Sequence, residues 1–274
     1  MATTGGEFVA SDPGIETVAF DAPWSWIAKG WADMRRTPGI SLAYGALFTL
    51  ISLLILIGLF LAGGLSLLLP LAGGFLLLGP MFAVGLYETS RKLEEGRPVS
   101  LSEVMMLGVR SPGQLAFMGV FLLILYFVWL EIAFLLFMLF LGPQSLQLEN
   151  IVPTLLFTGP GLGLLATGTV AGAALALLGF AITAVSIPLL MRREIDVATA
   201  AITSVRAVAN NPAPMLLWAV LIAGMMAFAF ATLFVGMIVV FPLIGHSTWH
   251  AYRSLIPPVT RAKSSGKAKK KASR

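Results

Sequence analysis

"TPGISLAYGALFTLISLLILIGLFLAGGLSLLLPLAGGFLLLGPMFAVGLYETS", residues 37–90, holds no Lys or Arg and a single acid, Glu88. An α-helix rises ~1.5 Å per residue, so as one helix the stretch would reach about 80 Å, far beyond ~30 Å of hydrocarbon. It therefore goes out and comes back, and Ala62-Gly63-Gly64 marks the turn. The same holds further along. No Lys or Arg lies in the 81 residues between Arg110 and Arg192, nor in the 46 between Arg206 and Arg253.

All 18 basic residues fall into four clusters: Lys29 to Arg36, Arg91 to Arg110, Arg192 to Arg206, and Arg253 with the tail. Two crossings per gap predict an all-α, polytopic bundle of six transmembrane helices. All the cations then share one side, which the positive-inside rule makes cytoplasmic, with both termini inside. The expected spans are Gly39–Leu61, Leu65–Arg91, Gln114–Leu141, Thr167–Met191, Ala213–Thr232 and Val235–Tyr252. The substantial outer loop is "GPQSLQLENIVPTLLFTGPG", 142–161. Pro80, Pro188 and Pro242 are expected to kink their helices, with neighbouring groups re-satisfying the backbone.

Composition agrees. The chain of 274 residues is 58% hydrophobic and 11% charged, against about 25% charged in a soluble domain. It contains no cysteine, which excludes disulfides, thiolate metal sites, iron–sulfur clusters and cysteine nucleophiles. The division expected is a flexible polar N-terminal tail (1–18), one six-helix membrane domain (19–256) and a disordered basic tail (257–274). The first 22 residues carry Glu7, Asp12, Glu16 and Asp21 and lack the basic and apolar regions of a cleavable signal. Seven basic residues lie in "RAKSSGKAKKKASR", 261–274, a run without aromatics or an apolar face. Its expected partner is anionic lipid headgroups rather than nucleic acid.

A polar approach segment precedes each hairpin: "DAPWSWIAKGWADMRRTP" (21–38), "SLSEVMMLGVRSP" (100–112) and "DVATAAITSVRAVANNP" (196–212). Each begins with an N-cap type residue and ends in proline, and Ser100 with Glu103 has capping-box spacing. In the first, Trp24, Ile27, Trp31 and Met34 share a helical face while Lys29, Asp33 and Arg36 lie on another, as in an interfacial amphipathic helix. The exit "PMFAVGLYETSR" (80–91) aligns without gaps to "PLIGHSTWHAYR" (242–253), whereas the middle exit is shortened to "PLLMRRE". Trp24, Trp31, Tyr87, Arg91, Trp249 and Arg253 are therefore expected as interfacial anchors. The architecture reads as three degenerate repeats of an interfacial helix plus a transmembrane hairpin.

"WSWIAKGWADMRRTPGISLAYG", "GPMFAVGLYETSRKLEEGRPVSL", "SIPLLMRREIDVATAAITSVRAVANNPAPMLLWAV" and "FPLIGHSTWHAYRSL" together resemble a family of uncharacterised bacterial inner-membrane proteins. It is a domain-of-unknown-function family, some of whose members are labelled cytochrome c oxidase subunit I. The resemblance covers about residues 18–255. It implies a six-helix integral membrane protein and brings no established reaction. Where the family tends to have an acidic residue after "PLL", this chain has Met191 before Arg192.

Both histidines lie in "GHSTWH", 245–250. His246 and His250 share a helical face and Glu88 aligns with His250 in the matching exit, so the expected role of the histidines is structural or hydrogen-bonding, with these three as the weaker candidates for a metal. The oxidase label needs several more histidines to hold two haems and a copper, so it is rejected. Trp249, Tyr252 and Arg253 set His250 at headgroup level and His246 a turn deeper. Glu131 is the carboxylate well inside an apolar helix, about 25 Å along it from Gln114 and so in the outer leaflet; it is expected as a tolerated interfacial residue, with ion handling or partner contact as the alternative. Gly168, Gly172, Ala176 and Gly179 make a smooth helix face for close packing.

Ser/His/Asp and P-loop arrangements are absent. The expectation is a non-enzymatic protein of the bacterial inner membrane without a cofactor, serving as an accessory, scaffold or assembly partner of other membrane components. A small-solute or ion transporter is the alternative, and a haem or metal protein the third reading.

Overall fold

The computed structural model describes residues 14–100, 112–142 and 148–257. Residues 101–111 of the middle approach segment, Glu103 among them, and residues 258–274 of the basic tail lie outside them. Among the described residues the regular structure is entirely helical. In chain order it comprises α1 (Ala22–Arg36), α2 (Pro38–Leu61), a 3-10 turn (Leu65–Leu67), α3 (Leu68–Phe82), α4 (Val84–Glu94) and α5 (Pro112–Leu141). Then follow α6 (Leu148–Phe157), α7 (Gly159–Thr183), α8 (Ser186–Arg192), α9 (Val197–Asn210), α10 (Pro212–Ala231) and α11 (Met237–Leu255).

Among the described residues, five stretches are long and apolar enough to cross a membrane: Pro38–Leu61, Leu65–Glu94, Pro112–Leu141, Gly159–Arg192 and Pro212–Ala231. They fall on the first five expected spans. The sixth expectation falls on α11, which is helical but less apolar. Its position explains the composition: α11 packs against α1, α2, α4 and α10 and is the central helix of the bundle. Its polar side chains meet protein where those of an outer helix would meet lipid.

Small residues let the neighbours approach α11. A Cβ added to Gly45 of α2 would lie 2.2 Å from the Ile238 carbonyl oxygen, and one on Gly30 of α1 would lie 2.2 Å from Ser247 Oγ. On α2 the buried residues are Ser41, Gly45 and Thr49, spaced one turn apart. Beyond them α2 shows Leu50, Ile51, Leu54, Ile57 and Phe60 to the outside. Sequestered polar groups thus gather in one half of the bundle and exposed apolar side chains dominate the other. Between them, Phe48, Phe75, Phe82 and Phe241 interlock, with the Phe48 and Phe241 ring centroids 4.7 Å apart.

The prolines act unequally. Past Pro80 the helix breaks at Ala83, and the carbonyl of Phe82 accepts a hydrogen bond from Tyr44 Oη at 2.9 Å. Pro188 has no N–H to give the carbonyl of Ala184, and α7 ends there. The amide of Val185, left without a helical partner, donates to Ser204 Oγ at 3.1 Å. By contrast α11 runs through Pro242 without a break.

Two approach segments are helices, α1 and α9. Their closing residues Thr37 and Asn211 have nearly the same backbone angles, φ −128° ψ 55° and φ −130° ψ 52°, each before the proline that opens the next span. The Asp196 carboxylate caps α9 through the Thr199 amide at 2.9 Å, while Asp21 makes no side-chain cap.

Three local expectations change. The outer loop contains α6, and α7 begins at Gly159, eight residues before Thr167, because Thr158 caps it and Pro160 fits its first turn. The N-terminal tail is fastened before residue 18: Glu16 N donates to the Leu255 carbonyl at 2.9 Å and Val18 N to Asn211 Oδ1 at 2.9 Å. On α1, Asp33 is not on the outer polar face. It is buried with Trp26, Gly30 and Met34 against the bundle, and Trp26 meets Trp218 edge-on at 5.8 Å.

Candidate functional site

The polar half of α11 is enclosed by α1, α2 and α4. His246 is fully buried, and both ring nitrogens are engaged. Ser41 Oγ of α2 lies 2.9 Å from Nε2, and Ser90 Oγ of α4 lies 2.7 Å from Nδ1. A neutral imidazole donates through one nitrogen and accepts through the other, and serine hydroxyls complement either tautomer. Thr37 extends the chain, 3.4 Å from Ser41 Oγ and donating to the Asp33 carbonyl at 3.1 Å. One turn along α11, His250 Nε2 lies 2.8 Å from Asp33 Oδ2 of α1.

A second network ties α4, α8 and α11 at the same end. The Arg91 guanidinium is buried against Glu88, to which it donates from Nε at 2.7 Å and from a second nitrogen, and it reaches Glu95 at 2.6 Å. Arg192 of α8 lies 3.5 Å from Glu95. Arg253 of α11 pairs with Glu94 at 2.8 Å, and the same carboxylate accepts from Trp249 Nε1 at 3.0 Å. Burial alone raises the Glu95 carboxyl. The hydrogen bond and charge of Arg91, with the charges of Arg192 and Arg97, outweigh it and hold Glu95 below the usual glutamate range.

The candidate ligands are thus held apart. His246 faces two serines, His250 faces Asp33, and Glu88 faces Arg91. Among the described residues no three His, Cys, Asp or Glu are grouped to hold a metal ion.

The expected anchors divide. Trp24 and Trp31 are exposed on α1, and Arg253 is half-buried. Tyr87, Arg91 and Trp249 turn inward, because α4 is enclosed along most of its length and packs on α11. Glu131 is exposed on the outer side of α5. Close by, Trp129 Nε1 donates to the Pro70 carbonyl at 3.0 Å, with its ring against Gly73 and Gly172. Of the small residues on α7, Gly172 and Gly179 receive neighbours, whereas Gly168 has open space above it.

A cavity of about 380 Å³ lies between α3 and α7 on one side and α10 and α11 on the other. Its walls are apolar, including Leu77, Pro80, Ala176, Ala219 and Met226. Tyr87 and Thr248 lie at the end nearer the charged groups.

Several partners escaped sequence reasoning. Ser41, Ser90 and Asp33 are ordinary helix residues until α2, α4 and α1 close on α11. The Ser41–Gly45–Thr49 spacing was an available signal for a buried contact face.

No curated protein and no solved structure matches the chain. Residues 68–192, the stretch from α3 through α8, match the sequence profile of a family described as "Predicted integral membrane protein (DUF2189)". The match is shorter than the 18–255 stretch of the sequence resemblance and covers less than half of the chain; this segment is similar to a family of predicted integral membrane proteins of unknown function.

Proposed function

We propose that the protein sits in the bacterial inner membrane with both termini in the cytoplasm. It crosses six times, as three degenerate units, and serves there as a non-enzymatic accessory, scaffold or assembly partner of other membrane components. The observation that carries this reading is that the ionisable groups of the polar core are paired within the bundle. His246, His250 and Glu94 spend their hydrogen bonds on other helices and so fasten helices together, while Glu88 is held by Arg91 of its own helix. The bundle meanwhile offers long apolar faces for contact, such as Phe117, Ile124 and Phe127 on α5. Glu131 on that helix is a polar mark for a partner helix in a setting where unpaired carboxylates are costly. The basic tail adds attraction to anionic headgroups.

Solubilisation in mild detergent followed by affinity capture and mass spectrometry of intact complexes tests the reading. A stoichiometric membrane-protein partner, weakened by Glu131→Leu, is expected. Reproducible recovery of the protein alone overturns it.

A small-solute or ion transporter is the second reading, favoured by the cavity beside Pro80 and by the breaks at Ala83 and Ala184. Its apolar walls argue against a polar cargo, since transporters gather polar groups near the midplane.

A further inference from the structure

We propose that the cavity is a lipid site, which takes one acyl chain of a glycerophospholipid and binds the ester carbonyl of that chain through the Tyr87 hydroxyl. This goes beyond the accessory role and does not depend on it. It requires only that the bundle is embedded in lipid.

Shape supports a chain from one leaflet. The wall on α10 runs from Leu216 to Met226 and that on α7 from Ala173 to Ala184. Each is about 15 Å long at ~1.5 Å per residue, half the ~30 Å hydrocarbon thickness. α7 and α10 form no packed interface with each other, and Leu177, Leu216 and Val220 stand exposed along the walls. The opening is therefore lateral. An apolar space of this kind does not retain water, and an unfilled one loses contacts on every wall. A flexible hydrocarbon chain supplies those contacts.

Chemistry supports an acceptor at the head of the chain. Tyr87 is 2% exposed, lines the cavity, and its hydroxyl bonds to no other described residue. A buried phenol normally finds a partner. Thr248 and Thr183 also line the cavity, but their hydroxyls donate to the Ile244 and Gly179 carbonyls at 2.8 and 2.7 Å. Among the described residues, the Tyr87 hydroxyl and the indole N–H of Trp218, which also lines the cavity, are thus the donors left to orient a ligand, and Tyr87 is the one that stands a single helical turn from Arg91, in the manner of pockets whose few polar groups fix an apolar guest. At that end of the bundle the basic residues Arg91, Lys92, Arg97, Arg192, Arg193 and Arg253 outnumber the acids Glu88, Glu94, Glu95 and Glu194. The net positive charge complements a phosphate, which favours a glycerophospholipid over an uncharged isoprenoid quinone.

The test uses the full-length protein in vesicles of phosphatidylethanolamine and phosphatidylglycerol containing a trace of phosphatidylglycerol with a photoreactive acyl chain. Crosslinks are expected on peptides covering 173–184 and 216–226, competed by unlabelled phosphatidylglycerol and not by ubiquinone. An ether-linked analogue without the ester carbonyl should compete about fivefold less well, the weight of one hydrogen bond. In Tyr87→Phe the ester and ether lipids should compete equally, and Ala219→Phe should block the cavity and remove the crosslinks. Far-ultraviolet circular dichroism and melting of both variants establish that they fold. Crosslinking unchanged in folded Ala219→Phe, an ester preference that survives Tyr87→Phe, or displacement by ubiquinone in place of phospholipid would overturn the proposal.

Discussion

His246 Nδ1 lies 2.7 Å from Ser90 Oγ, inside the contact between α11 and α4, while Ser41 holds Nε2 from α2. One imidazole thereby joins three helices. Ser90→Ala leaves a ring nitrogen buried without a partner, which costs about 1–3 kcal/mol. Ser41→Ala should cost a similar amount. Because both act through one ring, the double variant should lose less than the sum. Melting in detergent, followed by circular dichroism, measures all three, and strictly additive losses would contradict a shared network.

The approach of α2 to α11 makes a sharp contrast between glycines of one helix. Gly45→Ala puts a methyl against the backbone of Ile238, at 2.2 Å from its carbonyl oxygen, and should destabilise the bundle by about 1–3 kcal/mol. Gly58 has nothing within 4 Å, so Gly58→Ala should raise helix stability by about 0.5–1 kcal/mol. Equal melting temperatures for the two variants would remove α11 from the centre of the bundle.

The sequence made the five apolar spans legible because lipid imposes length and composition directly on a lipid-facing helix. It was less informative about α11. The central helix is screened from lipid, so His246, Thr248 and His250 resemble the polar end of an outer helix or a ligand set. What the two histidines do depends on Ser41, Ser90 and Asp33, which lie 156 to 217 residues away in sequence. Tyr87 and Trp249 illustrate the same limit. An aromatic near a basic residue reads as an interfacial anchor, and only the packing of α4 on α11 turns it inward.

In the last hairpin the turn adopts left-handed backbone without glycine, at Leu233 (φ 52°) and Phe234 (φ 67°). The first hairpin uses Gly63 at φ 67° for the same purpose. Thr49 of α2 fastens the turn by donating to the Phe234 carbonyl at 3.1 Å. Leu233 is exposed, so Leu233→Gly relieves the backbone with little packing loss and should stabilise by up to about 1 kcal/mol. A fall in melting temperature would show that the turn is unstrained or that the leucine is packed.

Asp196 caps α9 through the Thr199 hydroxyl at 2.6 Å and the Thr199 amide at 2.9 Å, and these bonds, the side-chain one foremost, hold its carboxyl below the usual range. A depressed folded value means that the charged cap stabilises above the unfolded pKa of about 4 and that the benefit is lost as pH falls through the folded value. Asp196→Ala should cost about 0.5–2 kcal/mol at neutral pH, while Asp196→Asn retains most of the cap. The gap between wild type and Asp196→Ala should shrink as pH falls below about 4. A gap that is independent of pH would contradict the charged cap.

The most direct test of the account is the side of the membrane on which each turn lies. The chain has no cysteine, so single cysteines can be introduced into the natural background. Gly64→Cys, Asn150→Cys and Leu233→Cys should react with a membrane-impermeant maleimide in intact cells or right-side-out vesicles. Lys29→Cys and Arg97→Cys should react only after the membrane is opened. Labelling of residue 64, 150 or 233 solely from the cytoplasmic side would contradict a bundle whose charged end faces one compartment and whose three hairpins turn in the other.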